Sequence, residues 1–208
     1  MYSYEVAAAV ATQRVVAIVR ALDADAARAA VWSLVEAGLQ VVEVSLTTPG
    51  ALEVIAEVAA RRVPGLVLGA GTVLDGATAR LAVLAGARFL VSPSLQEDVL
   101  LTAHRYGVAT LPGAATAAEA VRAMELGADL VKLFPASAYG PKATGDLLQA
   151  LPQVPLVPTG GVTLADAPDY IRAGAVAVGI GSSLTRGGPA EAAERVARLL
   201  ADLSAAAA

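Results

Sequence analysis

Eight short runs rich in β-branched and other apolar residues punctuate the chain at near-regular spacing, at 15–19, 41–45, 66–70, 89–92, 108–111, 130–134, 156–158 and 176–180. Helical stretches rich in Ala, Leu, Glu and Arg separate most of them. A strand followed by a crossover helix forms a parallel pair. Eight such units close into a barrel whose strands are apolar because both of their faces are covered. The expected fold is therefore α/β, a (β/α)8 TIM barrel, with residues 1–13 as a short N-terminal capping helix. The chain has 208 residues, 56% of them hydrophobic, enough for one sizeable core and too few for two full-sized domains. Residues 1–208 are thus expected to form a single domain.

A repeat within the helical stretches sharpens the register. Glu36-Ala37-Gly38, Leu84-Ala85-Gly86, Glu125-Leu126-Gly127 and Arg172-Ala173-Gly174 each end a helical stretch shortly before the second, fourth, sixth and eighth strands. Glycine just beyond a helix adopts the left-handed conformation at little cost, so the four mark helix stops of one kind. Counting five residues on from each glycine reaches Glu43, Val91, Lys132 and Gly179, and seven reaches Ser45, Pro93, Phe134 and Gly181. Each set is expected to share one interior layer of the barrel. Such interiors are normally filled by Val, Ile and Leu, so a glutamate and a lysine in one layer break the rule where function usually breaks it.

Alternation along Leu130-Val131-Lys132-Leu133-Phe134 puts Leu130, Lys132 and Phe134 on the inner face, and the same rule turns Val41, Glu43 and Ser45 inward. The chain holds two lysines beside 13 arginines, so a lysine in an apolar strand is poorly explained as a generic positive charge. An amine can lose its proton and attack a carbonyl, which guanidinium cannot. Lys132 is accordingly read as the nucleophile that forms an imine with a carbonyl substrate, and Glu43 as the acid/base that moves protons beside it. A structural ion pair between the two is the competing role, and it is compatible with the catalytic one.

Glycine-rich segments follow the seventh and eighth strands, Pro158-Thr159-Gly160-Gly161 and Gly179-Ile180-Gly181-Ser182-Ser183. Barrels commonly bind phosphate in these two loops, because glycines let backbone N–H groups approach the anion. Arg20 ends the first strand and Thr72 follows Gly69-Ala70-Gly71 at the end of the third, so both are expected at the rim, where either can hold a carboxylate. Lys142 is read as a solvated loop residue, His104 as a surface helix position, and Trp32 as packing between helix and barrel.

Composition removes several alternatives. With 15 basic and 19 acidic residues, a net charge of -4 and no dense cluster of Lys and Arg, neither nucleic acid nor an anionic membrane is an expected partner. The apolar runs break well before the ~20 residues a spanning helix needs. The N-terminal stretch carries Glu5 and no preceding basic residue, so it does not read as a signal peptide, and a cytoplasmic location is expected. One histidine and no cysteine leave few ligands for a catalytic metal, and no metal or other cofactor is expected.

Six motifs together resemble the 2-keto-3-deoxy-6-phosphogluconate (KDPG) and 4-hydroxy-2-oxoglutarate aldolases, through nearly the whole chain. They are Val42-Glu43-Val44-Ser45-Leu46, Gly69-Ala70-Gly71-Thr72-Val73, Val91-Ser92-Pro93, Lys132-Leu133-Phe134-Pro135-Ala136, Pro158-Thr159-Gly160-Gly161 and Gly179-Ile180-Gly181-Ser182. The resemblance implies a metal-free class I lyase that splits a phosphorylated 2-oxo acid into pyruvate and glyceraldehyde 3-phosphate, with the Entner–Doudoroff pathway as its setting and a homotrimer as its assembly. It implies that Thr72, Pro93, Phe134 and Thr159 line the pyruvate pocket and that Gly160, Gly161, Gly181 and Ser182 hold the phosphate. Several family members carry an arginine where this chain has Thr47, which leaves Arg20 as the cation for the carboxylate. The alternatives are a 2-keto-3-deoxy-6-phosphogalactonate aldolase, a phosphosugar isomerase or epimerase, and a barrel that only binds pyridoxal phosphate or a phosphosugar.

Overall fold

In the computed structural model, residues 2–186 and 189–207 are described. The chain runs through α1 (Ser3–Gln13), β1 (Val15–Val19), α2 (Ala24–Glu36), β2 (Val41–Ser45), α3 (Ala51–Ala60), β3 (Val67–Gly71), α4 (Gly76–Ala85), β4 (Phe89–Val91), α5 (Glu97–Tyr106) and β5 (Ala109–Leu111). It continues through β6 (Gly113–Ala114), α6 (Ala117–Glu125), β7 (Val131–Leu133), a 3-10 turn (Ala136–Ala138), α7 (Gly140–Ala150), β8 (Leu156–Pro158), α8 (Ala167–Arg172), β9 (Val178–Ile180), α9 (Ser182–Thr185) and α10 (Pro189–Ala206). Every strand pair is parallel, in a six-stranded sheet ordered β5-β4-β3-β2-β1-β9 and a three-stranded sheet ordered β6-β7-β8. Hydrogen bonds also pass between the sheets. The Leu130 N–H donates to the Thr110 carbonyl at 3.1 Å, the Val176 N–H donates to the Leu156 carbonyl at 3.0 Å, and Thr159 bridges to Gly179 in parallel.

The fifth expected strand is divided in two. Pro112 has no N–H to donate, so the ladder stops at Leu111 and resumes at Gly113 in the other sheet, while the Pro112 carbonyl accepts from the Lys132 N–H at 2.9 Å. The four glycine stops take the expected conformation, with φ of 101° at Gly38, 107° at Gly86, 83° at Gly127 and 101° at Gly174. After each, the next N–H reaches back five residues: Leu39 to Leu34, Ala87 to Ala82, Ala128 to Ala123 and Ala175 to Tyr170, the bond that closes a Schellman cap. This shared geometry gives the strands that follow a shared register.

The strands are apolar on both faces because two cores meet across them. Val15, Ala17, Val19, Val42 and Val44 pack outward against helix residues such as Leu34 and Ile55. The alternate positions Val16, Val41, Val67, Phe89, Leu130 and Val157 form a separate inner cluster near the strands' N-terminal ends. Helix α1 covers that cluster as the expected cap. An 11-residue helix is marginal alone, but Val6 and Val10 are fully buried in the inner cluster, at roughly 1.5–3 kcal/mol each. No described helix is long and apolar enough to cross a membrane. The end away from α1 carries the polar residues.

Candidate active site

The inner face changes character beyond the apolar cluster. Glu43 and Lys132 are 3% and 7% exposed, both within strands whose other inward residues are apolar or small. The backbone of Lys132 is held on two sides, paired with Gly113 of β6 and Val157 of β8. Its Nζ lies 4.9 Å from the centroid of the Phe134 ring, which shares its face. Glu43 is paired with Ile18 of β1 and Gly69 of β3.

Glycine makes room for the carboxylate. A Cβ built on Gly71 would stand 1.6 Å from the Glu43 Oε1, an overlap that only a shift of the carboxylate itself can relieve. Gly71→Ala is therefore expected to displace Glu43 and lower kcat about 100-fold, the usual cost of a catalytic group moved by about 1 Å. Steady-state kinetics beside a thermal melt checks this. A kcat within threefold of the parent, roughly the scatter such measurements tolerate, would show that Glu43 does not need that space.

Burial, the largest effect on Glu43, pushes its carboxyl above the ordinary 4.5, while the positive charges of Lys132 and Arg20 pull it partly back. Among the described residues Lys132 and Glu43 form no ion pair within 4.0 Å. They therefore influence each other across a gap, without the direct contact that a purely structural pair would make.

That gap belongs to a cavity of about 580 Å³. Arg20, Glu43, Lys132, Phe134 and Thr159 form one part of its wall, and Gly160, Gly161, Gly181 and Ser182 another. Two neighbouring turns shape the glycine side. Gly160 and Gly161 both have φ of 86°, and a Cβ on the first would stand 2.7 Å from the Phe134 ring, on the second 2.5 Å from the Ser137 side chain. The Gly160 carbonyl accepts from the Ser137 N–H at 2.9 Å and the Thr159 carbonyl from the Ala136 N–H at 2.8 Å, so the loops after β7 and β8 are laced together. The Thr159 hydroxyl donates to the Val157 carbonyl at 3.1 Å.

Thr72 and Pro93 stand apart from this lining, at the ends of β3 and β4. Thr72 has φ of 60°, a strained conformation for a β-branched residue, and its Oγ1 shares a hydrogen bond of 3.0 Å with the buried Ser45 Oγ. Ser45 Oγ is also 2.9 Å from Thr47 Oγ1, giving a chain of three hydroxyls along the rim. Pro93 packs its backbone against β6, where a Cβ on Gly113 would stand 2.3 Å from it. Lys142 lies on helix α7 rather than in a loop, because Pro141 starts the helix, and it pairs with Asp146 at 2.8 Å. His104 is exposed on α5, its Nε2 3.0 Å from the Gly127 carbonyl, while Trp32 is half-buried under Arg61.

Gly179 and Ser183 of the second glycine segment also line the cavity, as do Ile18, Val162, Thr163 and Arg186, which were not singled out from the sequence. Arg186 carries the clearest signal in retrospect, a cation five residues beyond Gly181. A second cavity of about 430 Å³ lies among Leu164, Leu199, Arg195, Arg198 and Asp202, where the Asp202 carboxylate stands 3.9 Å from Arg198 and faces no amine nucleophile. Among the described residues no group of three His, Cys, Asp or Glu side chains is placed to hold a metal.

Residues 6–199 match the family model for KDPG and KHG aldolase. The chain belongs to this family. It is therefore an aldolase, a carbon–carbon lyase. It is 43% identical over 141 residues, 67% of each chain, to the 2-dehydro-3-deoxy-phosphogluconate aldolase of Zymomonas mobilis. Over 184 residues, 88% of this chain and 89% of the relative, it is 35% identical to the 2-dehydro-3-deoxy-6-phosphogalactonate aldolase of Escherichia coli. The crystal structure of the Legionella pneumophila KDPG aldolase, with pyruvate captured as a covalent carbinolamine, superposes with a TM-score of 0.78 at 26% identity, covering 97% of this chain and 98% of that one.

Proposed function

We propose that this aldolase cleaves 2-keto-3-deoxy-6-phosphogluconate into pyruvate and glyceraldehyde 3-phosphate through an imine on Lys132, in a single closed (β/α)8 barrel spanning residues 1–208. The observation that carries this reading is the buried Lys132 amine facing the buried Glu43 carboxyl across a cavity rimmed by two glycine loops. The hydrogen bonds joining the two sheets at Leu130–Thr110 and Val176–Leu156 support closure of the barrel.

The Lys132 amine adds to the C2 carbonyl, and loss of water leaves a protonated imine. The Glu43 carboxylate takes the C4 hydroxyl proton, the C3–C4 bond breaks, and its electron pair moves into an enamine as the aldehyde leaves. Glu43, now protonated, returns the proton to C3, and water hydrolyses the pyruvyl imine to free the lysine. Arg20, at the mouth beside Glu43, takes the substrate carboxylate, with Phe134 and Thr159 around the pyruvate unit, Gly160, Gly161, Gly181 and Ser182 at the phosphate, and Thr72 and Pro93 behind this lining at the ends of β3 and β4.

Mixing the protein with pyruvate and borohydride and mapping the product by mass spectrometry tests the reading. A reduced pyruvyl adduct on Lys132 is expected, and its absence where pyruvate binds would defeat the imine mechanism. Arg20→Ala is expected to raise KM for pyruvate-bearing substrates about 10- to 100-fold, the loss of one bidentate carboxylate contact. An unchanged KM would return carboxylate recognition to the hydroxyls of Thr47, Ser45 and Thr72.

The longer match to the Escherichia coli phosphogalactonate enzyme favours a second reading, in which the substrate differs only in configuration at C4. Parallel kinetics with both sugar acids decides between them. A cytoplasmic location and a place in the Entner–Doudoroff pathway complete the proposal. So does assembly as a homotrimer, supported by the exposed Leu74, Leu81, Leu84 and Leu101 on and beside α4 and α5.

A further inference from the structure

We propose that Arg186 makes this cavity selective for phosphorylated over unphosphorylated 2-oxo acids, an inference that rests on the aldolase reading above. Among the described residues the cavity wall carries three cations, Arg20, Lys132 and Arg186, against the one carboxylate of Glu43. Two of the three are committed. Arg20 and Lys132 both act electrostatically on Glu43, and the lysine becomes the imine nitrogen; Arg186 is not among the charges acting on Glu43.

Among the described residues the Arg186 guanidinium forms no ion pair and donates no side-chain hydrogen bond, and it stands exposed at the wall that also bears Gly160, Gly161, Ser182 and Ser183. Leu184, two residues earlier, is fully buried, and the Arg186 carbonyl accepts from an Nη of Arg195, which also pairs with Glu191 at 3.5 Å. An uncommitted guanidinium at the cavity wall suits a residue that binds an anion.

The glycine loops by themselves offer backbone N–H groups, which carry only partial charge and can bond a hydroxyl as well as a phosphate oxygen. A guanidinium adds a full charge and a fork that fits two phosphate oxygens, so it rewards the dianion and little else. Arg186 is thus a specificity-determining residue at the distal end of the substrate, far along the chain from the imine chemistry.

The test compares the parent with Arg186→Ala and Arg186→Lys, on 2-keto-3-deoxy-6-phosphogluconate and on unphosphorylated 2-keto-3-deoxygluconate. Arg186→Ala is expected to lower kcat/KM for the phosphorylated substrate about 100-fold and for the unphosphorylated one less than about threefold. Arg186→Lys should recover part of the difference, since it restores charge without the fork. Inhibition by inorganic phosphate should weaken in Arg186→Ala. Equal losses on both substrates, or a phosphate inhibition constant unchanged in Arg186→Ala, overturns the proposal. Arg20→Ala is the internal contrast, because its loss falls on both substrates alike, and a selective loss there instead would move the phosphate contact to Arg20. The borohydride adduct of pyruvate on parent Lys132 separates the two claims: with the adduct present and the selectivity ratio unmoved, Arg186 alone is misassigned, whereas no adduct removes the aldolase mechanism and this inference with it.

Discussion

Lys132→Arg is expected to lower kcat/KM by roughly 10⁴ to 10⁶, the range seen when a covalent nucleophile is removed while the binding site stays in place. The substitution keeps the positive charge facing Glu43 and much of the side-chain volume, so the electrostatic environment is the least disturbed of any available change. It removes only the ability to become a neutral nitrogen nucleophile, because guanidinium stays protonated at every pH a protein tolerates. Treatment with pyruvate and borohydride should then leave the chain's mass unchanged. A cooperative thermal melt near that of the parent keeps the result interpretable, and a variant that folds and retains more than about 1% of activity would assign the chemistry elsewhere.

The second large effect is expected at Glu43. Glu43→Gln preserves shape but can neither accept the C4 hydroxyl proton nor return it to C3, and general acid–base catalysis of this kind is worth about 10² to 10⁴ in kcat. The pH profile carries a further signature. Burial raises this carboxyl above 4.5 despite the opposing charges of Lys132 and Arg20. As pH falls through that raised value the carboxylate is lost, so the acidic decline of kcat/KM begins at a higher pH than for an ordinary glutamate, and it disappears in Glu43→Gln. Stability runs the other way. A carboxyl whose folded-state pKa is raised stabilises the fold fully below its unfolded value, and the contribution is lost as pH rises through the folded value. Glu43→Gln removes this loss, so its Tm relative to the parent should increase between mildly acidic and neutral pH. A parent profile with its acidic limb at the usual carboxylate position would contradict the burial argument.

Both residues are legible in the amino-acid sequence because the information that places them is local. Alternation assigns Glu43 and Lys132 to the inner face, and both are buried there. The glycine spacing works because each stop imposes one cap geometry, with Gly38, Gly86, Gly127 and Gly174 all left-handed, and a fixed count of residues then leads into the strand. The strand positions follow from short apolar runs, most of them within one or two residues of the observed ends. The family motifs add Phe134, Thr159 and the glycines of the two loops, while Ile18, Val162, Thr163 and Arg186 line the cavity from outside the motifs, and Thr72 and Pro93 stand beside the lining at the ends of β3 and β4. No local pattern distinguishes a residue that faces a cavity from one that stands a strand's width beside it.

The sequence alone thus determined the alternation of strand and helix, the inward direction of the lysine and glutamate, and the two glycine loops. Tertiary structure decided what occupies the space between them. Pro112 divides one strand because a missing N–H matters only where a partner carbonyl is waiting, and Gly71 is required because the Glu43 carboxylate lies against it from a different strand. Arg186 reaches the same cavity as Arg20 because β9 pairs with β1, though 166 positions separate them in the chain. Side-chain direction is set by dihedrals a few residues long, while the walls of a cavity are set by which distant strands become neighbours, and that depends on how the whole set of strands packs together.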